Sequence, residues 1–123
     1  MKNETRAGIA YIALRLATGK SKSDVYDYSV GRYITIDGEV TTSHVNVYDY
    51  TMGCHISGNG NGNGDKFDLY HYGNNRSIEL KKKSSNKFDG YDYDVNNHFE
   101  CTVSGNSVSV YDYEKSSYFD YSF

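Results

Sequence analysis

The chain contains no proline, so nothing in its 123 residues forces a break in an extended segment. Cysteine is scarce: Cys54 and Cys101 lack CxxC or zinc-finger spacing, and two thiols are too few for the disulfide framework of a small secreted domain. An excess of one charge is also missing. The formal net charge is −3, and the only basic run, Lys81-Lys82-Lys83, sits close to Glu79, which argues against nucleic acid as a partner. The single long apolar stretch, Ala7 to Ala17, is interrupted by Arg15 and is too short to span a bilayer. It is followed by Thr18-Gly19-Lys20 rather than by a small-residue cleavage pattern. A cytoplasmic location with no membrane partner is the expectation.

Hydrophobic residues make up only 37% of the chain, yet 14 Tyr and 5 Phe supply enough contact area per residue to argue against disorder. The length suits a single domain, residues 1–123, built on one core.

An aromatic motif returns five times, as Val25-Tyr26-Asp27-Tyr28, Val47-Tyr48-Asp49-Tyr50, Leu69-Tyr70-His71-Tyr72, Gly90-Tyr91-Asp92-Tyr93 and Val110-Tyr111-Asp112-Tyr113. Its first tyrosine recurs at intervals of 22, 22, 21 and 20 residues. Four turn-like residues follow each copy (Ser29 to Arg32 in the first), and then a second alternating segment such as Tyr33-Ile34-Thr35-Ile36. Residues 22–123 therefore read as five tandem β-hairpin repeats of 20–22 residues, about ten antiparallel strands.

Counting by twos separates two faces. Val25, Ile34, Ile36, Val47, Ile56, Leu69, Ile78, Leu80, Phe99, Cys101, Val103, Val110, Phe119, Tyr121 and Phe123 share the core face, and the paired tyrosines share the outer one. A four-residue loop over Ser29 to Arg32 would set Tyr28 opposite Tyr33 and Val25 opposite Ile36. Between hairpins, a turn at Gly105-Asn106 sets Val103 opposite Val108, Cys101 opposite Val110 and Phe99 opposite Asp112. A short loop at Ser84 to Asn86 sets Leu80 opposite Gly90 and Ile78 opposite Asp92. Asp37-Gly38 and Gly58 to Asp65 read as longer links that set no register.

Residues 4–18 form the one helix, with Asn3 as its start cap and Gly19 as its stop. Its apolar residues cover nearly the whole circumference, which calls for burial. A mainly β chain with one buried N-terminal helix suggests a sheet closed into a barrel around that helix, since closure removes both edges and ten strands enclose more than their own side chains fill. The alternatives are a β-solenoid capped by the helix and an open sheet with the helix across it.

Two sets of residues are candidates for function. The middle residues of the motif, Asp27, Asp49, His71, Asp92 and Asp112, would form an inner ring at one end, bonding the N–H groups of their own turns or pairing with Arg15 or Arg6 of the helix. The outer tyrosines, Tyr26, Tyr28, Tyr48, Tyr50, Tyr70, Tyr72, Tyr91, Tyr93, Tyr111 and Tyr113, would form an aromatic band suited to contact with a partner, or would simply stabilise the sheet by cross-strand packing. His71 in place of Asp, Gly90 in place of Val or Leu, and Cys54 break the symmetry, so a special site would lie near them.

Gly58 to Asp68 partly resembles the glycine-rich calcium turn of RTX repeats, which implies Asp65 as a metal ligand. Asp92-Tyr93-Asp94-Val95-Asn96 imitates an EF-hand start but lacks the later glycine and glutamate. The Tyr-Asp spacing resembles the YD repeats of large bacterial surface proteins, and Leu69 to Leu80 resembles a βγ-crystallin hairpin. Neither pattern persists through all five units, so neither implies a fold, site or activity here.

No catalytic set is evident, because a motif repeated five times lacks the asymmetry of a catalytic centre. The expected function is a noncatalytic binding or self-assembly module whose tyrosine face meets a protein, a glycan or another copy, with no cofactor. The alternatives are a small-ligand carrier or enzyme with its site at the inner Asp/His ring, and a calcium-dependent adhesion module.

Overall fold

The computed structural model describes residues 1–123. Helix α1 (Asn3–Thr18) precedes ten strands: β1 (Asp24–Asp27), β2 (Arg32–Val40), β3 (His44–Asp49), β4 (Cys54–Gly60), β5 (Lys66–His71), β6 (Arg76–Ser84), β7 (Lys87–Asp92), β8 (Asn97–Ser104), β9 (Ser107–Asp112) and β10 (Ser117–Ser122). Each strand pairs antiparallel with its neighbours in sequence, and β1 closes on β10 with Tyr26 opposite Ser122 and Asp27 opposite Tyr121. The result is the closed barrel; antiparallel closure excludes both the solenoid and the open sheet.

Helix α1 fills the lumen, with every residue from Thr5 to Leu14 buried. It lies nearest β1, β2, β8, β9 and β10. On the other side the space is taken up by large side chains of the wall, Phe67 and Leu69 from β5, Ile78 and Leu80 from β6, and Phe88 from β7. The wall comes so close at Gly8 that a Cβ there would collide with Cδ1 of Ile56. Gly90 is explained in the same way, since a side chain at this inward position would run into the ring of Phe99 on the paired strand.

Burial alternates along β3, β5, β7 and β9, placing the aliphatic residues inside and Tyr48, Tyr70, Tyr91 and Tyr111 outside. Within the hairpins, however, the register differs by two residues from expectation. Tyr26 faces Tyr33 and Val25 faces Ile34, so the first loop is Tyr28 to Gly31 rather than Ser29 to Arg32. A slide of two keeps every side chain on its face. The turn chemistry sets the position: the fourth loop residue is left-handed in all five hairpins (Gly31, Gly53, Asn75, Asn96 and Ser116, φ 68, 69, 54, 53 and 52°). The N–H groups of Gly31 and Gly53 donate to the carbonyls of Asp27 and Asp49 at 2.8 and 2.7 Å.

Between hairpins, Val103 faces Val108, Cys101 faces Val110 and Phe99 faces Asp112, while Leu80 faces Gly90 and Ile78 faces Asp92, all as expected. Asp37-Gly38 is not a link: β2 runs through it, with Gly38 opposite Val47. Likewise β4 continues through Gly58 to Gly60. At the helix start Asn3 lies inside the first turn and Lys2 holds the cap position without a side-chain bond, whereas Gly19 closes the end with φ 69° and an N–H to the Arg15 carbonyl.

No helix is long and apolar enough to cross a membrane. The strands carry Asp68, Glu79, Lys81 and Glu100 on their outer face and aliphatic residues inside, the reverse of the apolar-out pattern of membrane barrels.

Candidate functional site: inner ring and outer tyrosine band

Asp27, Asp49, His71, Asp92 and Asp112 all point into the barrel and are at most 2% exposed. Each aspartate caps its own turn. Asp27 accepts the N–H of Ser29 at 2.9 Å, Asp49 those of Thr51 and Met52 at 2.8 and 3.1 Å, Asp92 that of Asp94 at 3.0 Å, and Asp112 those of Glu114 and Lys115 at 3.0 and 3.3 Å. His71 does the same through Nδ1, which accepts the N–H of Asn74 at 3.1 Å. That bond assigns the imidazole proton to Nε2 and shows why histidine can replace aspartate here: the turn asks only for an acceptor at this distance.

The N-terminal end of α1 enters the ring. Thr5 Oγ1 accepts from Asn74 Nδ2 at 2.8 Å, and Lys2 Nζ donates to Asn74 Oδ1 at 3.1 Å. Acidic side chains around the positive end of a helix macrodipole are favourable, so the ring and the helix orientation suit each other.

The cation of the ring is Arg6, not Arg15. Arg6 Nη1 lies 3.0 Å from Asp112 Oδ2 and 2.9 Å from the Met1 carbonyl, Nε donates to Tyr121 Oη at 3.1 Å, and Nη2 donates to Asn3 Oδ1. Its guanidinium also stacks 3.4 Å from the centre of the Phe119 ring. The Met1 amino group lies 3.0 Å from Asp112 and also pairs with Glu114. Arg15 lies nine residues further along, ~13.5 Å at 1.5 Å per residue, and donates instead to Tyr11 Oη at 2.6 Å and the Gly38 carbonyl at 3.0 Å. The sequence offers both arginines, and the choice between them follows from the helix start and the ring sharing one barrel end.

Three ring atoms, Asp49 Oδ2, His71 Nε2 and Asp92 Oδ2, have no hydrogen-bond partner. Burial accordingly pushes the carboxyls of Asp49 and Asp92 above the ordinary range, although turn N–H groups act against it. Burial also holds the His71 imidazolium below its ordinary value, with the nearby Asp49 acting in the opposite sense. A cavity of about 60 Å³ beside the ring is lined by Asn3, Glu4, Asp27 and Arg32 among others.

The outer face carries the tyrosine band, and the two tyrosines of each motif differ. The second ones are exposed (Tyr28 59%, Tyr50 62%, Tyr72 54%, Tyr93 44%, Tyr113 45%), whereas Tyr26, Tyr48, Tyr70, Tyr91 and Tyr111 are half-buried. Within each pair the rings meet edge to face at 4.7–4.9 Å. In four hairpins a third ring packs on the first tyrosine from the next strand: Tyr33, His55, His98 or Tyr118. These four were not singled out as site residues from sequence, because the register that sets them opposite the first tyrosine is two residues from the expected one.

Asp65 is exposed in the loop after β4, and no group of three or more His, Cys, Asp and Glu side chains is placed to hold a metal ion. Cys54 is partly buried and Cys101 fully, both as free thiols. No family model matches the chain, and no curated protein or solved structure matches it significantly.

Proposed function

We propose that the chain is a noncatalytic binding or self-assembly module that engages its partner through the tyrosine band on the outside of the barrel. The observation that carries this reading is the collar of second tyrosines around the loop end. Tyr28, Tyr50, Tyr72, Tyr93 and Tyr113 are each about half exposed or more, and each is braced edge to face by a half-buried neighbour. Rigid aromatic side chains with a polar tip lose little entropy on contact, which is why they dominate recognition surfaces. The inner ring favours this reading over catalysis, because its side chains are buried and each engages a backbone N–H of its own turn.

The test is the double variant Tyr50→Ser/Tyr113→Ser. Sedimentation velocity over a concentration series should show weaker self-association, or surface binding to protein and glycan ligands should show weaker capture, with the melting transition retained. A double variant that loses stability while every association is unchanged would assign the band to sheet packing instead.

A further inference from the structure

The aromatic band is interrupted at one hairpin. On β1, β3, β7 and β9 the first tyrosine of the motif has Tyr33, His55, His98 or Tyr118 directly opposite. On β5, Tyr70 has Ser77 opposite on β6 and Ser57 on β4 at its other flank. With small hydroxyl side chains on both sides, Tyr70 lines an open groove of about 930 Å³ across the outer face of β4 to β6, which the loop tyrosines Tyr72 and Tyr93 also line. That volume lies within the range of small-molecule sites.

The next row of the groove runs Asn59, Asp68, Glu79 across the three strands in register. Lys81 pairs with Glu79 at 3.1 Å, but Asp68 is exposed and has no counter-ion. Asp68 therefore stands opposite Glu79 with its own carboxylate free to accept hydrogen bonds.

We propose that the groove binds a neutral glycan. This rests on the binding role proposed for the tyrosine face and names its ligand. Tyr70, Tyr72 and Tyr93 offer ring surfaces on which the apolar C–H face of a pyranose can lie. Asp68, Glu79 and Asn59 offer acceptors, and the asparagine a donor, for sugar hydroxyls. The lining sets Asp68 and Glu79 against Arg76, so neither sign of charge dominates and an uncharged ligand fits. A protein hot spot centres on a desolvated pocket, whereas Tyr70 is flanked by Ser57 and Ser77, with Asn59, Asp68 and Glu79 in the next row.

The experiment is an amide-resolved NMR titration of the full chain with soluble neutral hexasaccharides: α- and β-linked glucans, β-mannan and chitin oligomers. At least one should shift the amides of Tyr70, Tyr72, Ser77 and Glu79 saturably. Ser77→Tyr, which supplies the ring that Tyr33 and Tyr118 provide in other hairpins, should fold and weaken that binding by about tenfold or more, equivalent to about 1.4 kcal/mol. Asp68→Asn, a nearly isosteric second variant, should also weaken it, whereas Thr102→Ala, exposed on β8 and away from the groove, should not. Wild-type affinity in Ser77→Tyr, or no groove shift with any sugar, overturns the proposal. Sugar-induced shifts around Tyr111 and Tyr118 alone would overturn the groove but keep the tyrosine face as a binding surface. Absence of all sugar binding, together with self-association that depends on Tyr50 and Tyr113, would overturn the glycan and leave the broader reading intact.

Discussion

Arg6 and Asp112 meet at 3.0 Å between Nη1 and Oδ2, each 1% exposed, joining the first turns of the helix to the inner ring of the barrel. Removing Arg6 leaves the buried Asp112 with only the Met1 amino group as counter-ion and takes away the donor to the Tyr121 hydroxyl and the Met1 carbonyl. Arg6→Ala should therefore destabilise the chain by about 3 kcal/mol or more, measured by urea unfolding. Replacing both, as Arg6→Met/Asp112→Asn, should cost less than the sum of the single changes, because neither partner is then left charged and alone.

The ring gives the protein an unusual acid response. The folded-state pKa of His71 lies below its ordinary 6.5, so its contribution is complete above that value and is lost as pH falls through the lower folded one. Asp49 and Asp92 act in the opposite sense: their folded pKa lies above 3.8, so their contribution is complete below 3.8 and is lost as pH rises through the raised value. His71→Asn keeps a side-chain acceptor for the turn but cannot be protonated. A series of thermal melts should show that it abolishes the fall in stability that wild type shows as pH drops below 6.5.

Much of this architecture is legible in the sequence, and the reason is parity. Alternation along Phe67-Asp68-Leu69-Tyr70-His71 assigns faces without any knowledge of partners, and an all-round apolar helix has only the lumen to enter. The hairpin register was not legible, because it depends on left-handed residues, and Asn96 and Ser116 carry no such signal as plainly as Gly31 and Gly53 do. The groove was hidden for the same reason. Ser77 looks unremarkable until the register sets it opposite Tyr70, where four other hairpins place a ring.

The two tyrosines of a motif should separate under mutation. Tyr48 is half-buried between Tyr50 and His55, with both ring distances 4.8 Å, so Tyr48→Ser should cost about 1–2 kcal/mol through lost aromatic packing. Tyr50 is 62% exposed, and Tyr50→Ser should stay within about 0.5 to 1 kcal/mol of wild type. Chemical denaturation of the two variants side by side decides it.

The thiols should react in a fixed order. Cys101 is 1% exposed and burial holds its thiol far above the ordinary range; Cys54 is raised by burial too, but is partly accessible. Alkylation at neutral pH under native conditions, followed by mass spectrometry, should add one slow label at Cys54. Cys101 should be labelled only in denaturant.

Inward-facing strand residues pack on the helix, and this is what sends the tyrosines outward. Gly8 of α1 and Ile56 of β4 test it directly, since a Cβ at Gly8 would collide with the Ile56 Cδ1. Gly8→Ala alone should destabilise by about 1–3 kcal/mol through overpacking, despite the better helix propensity of alanine. Ile56→Val deletes that methyl, so a double-mutant cycle measured by denaturant unfolding should show the valine offsetting much of the alanine's penalty, a coupling of about 1 kcal/mol or more. Strict additivity of the two changes would mean that the residues do not touch and would contradict a barrel wrapped around this helix.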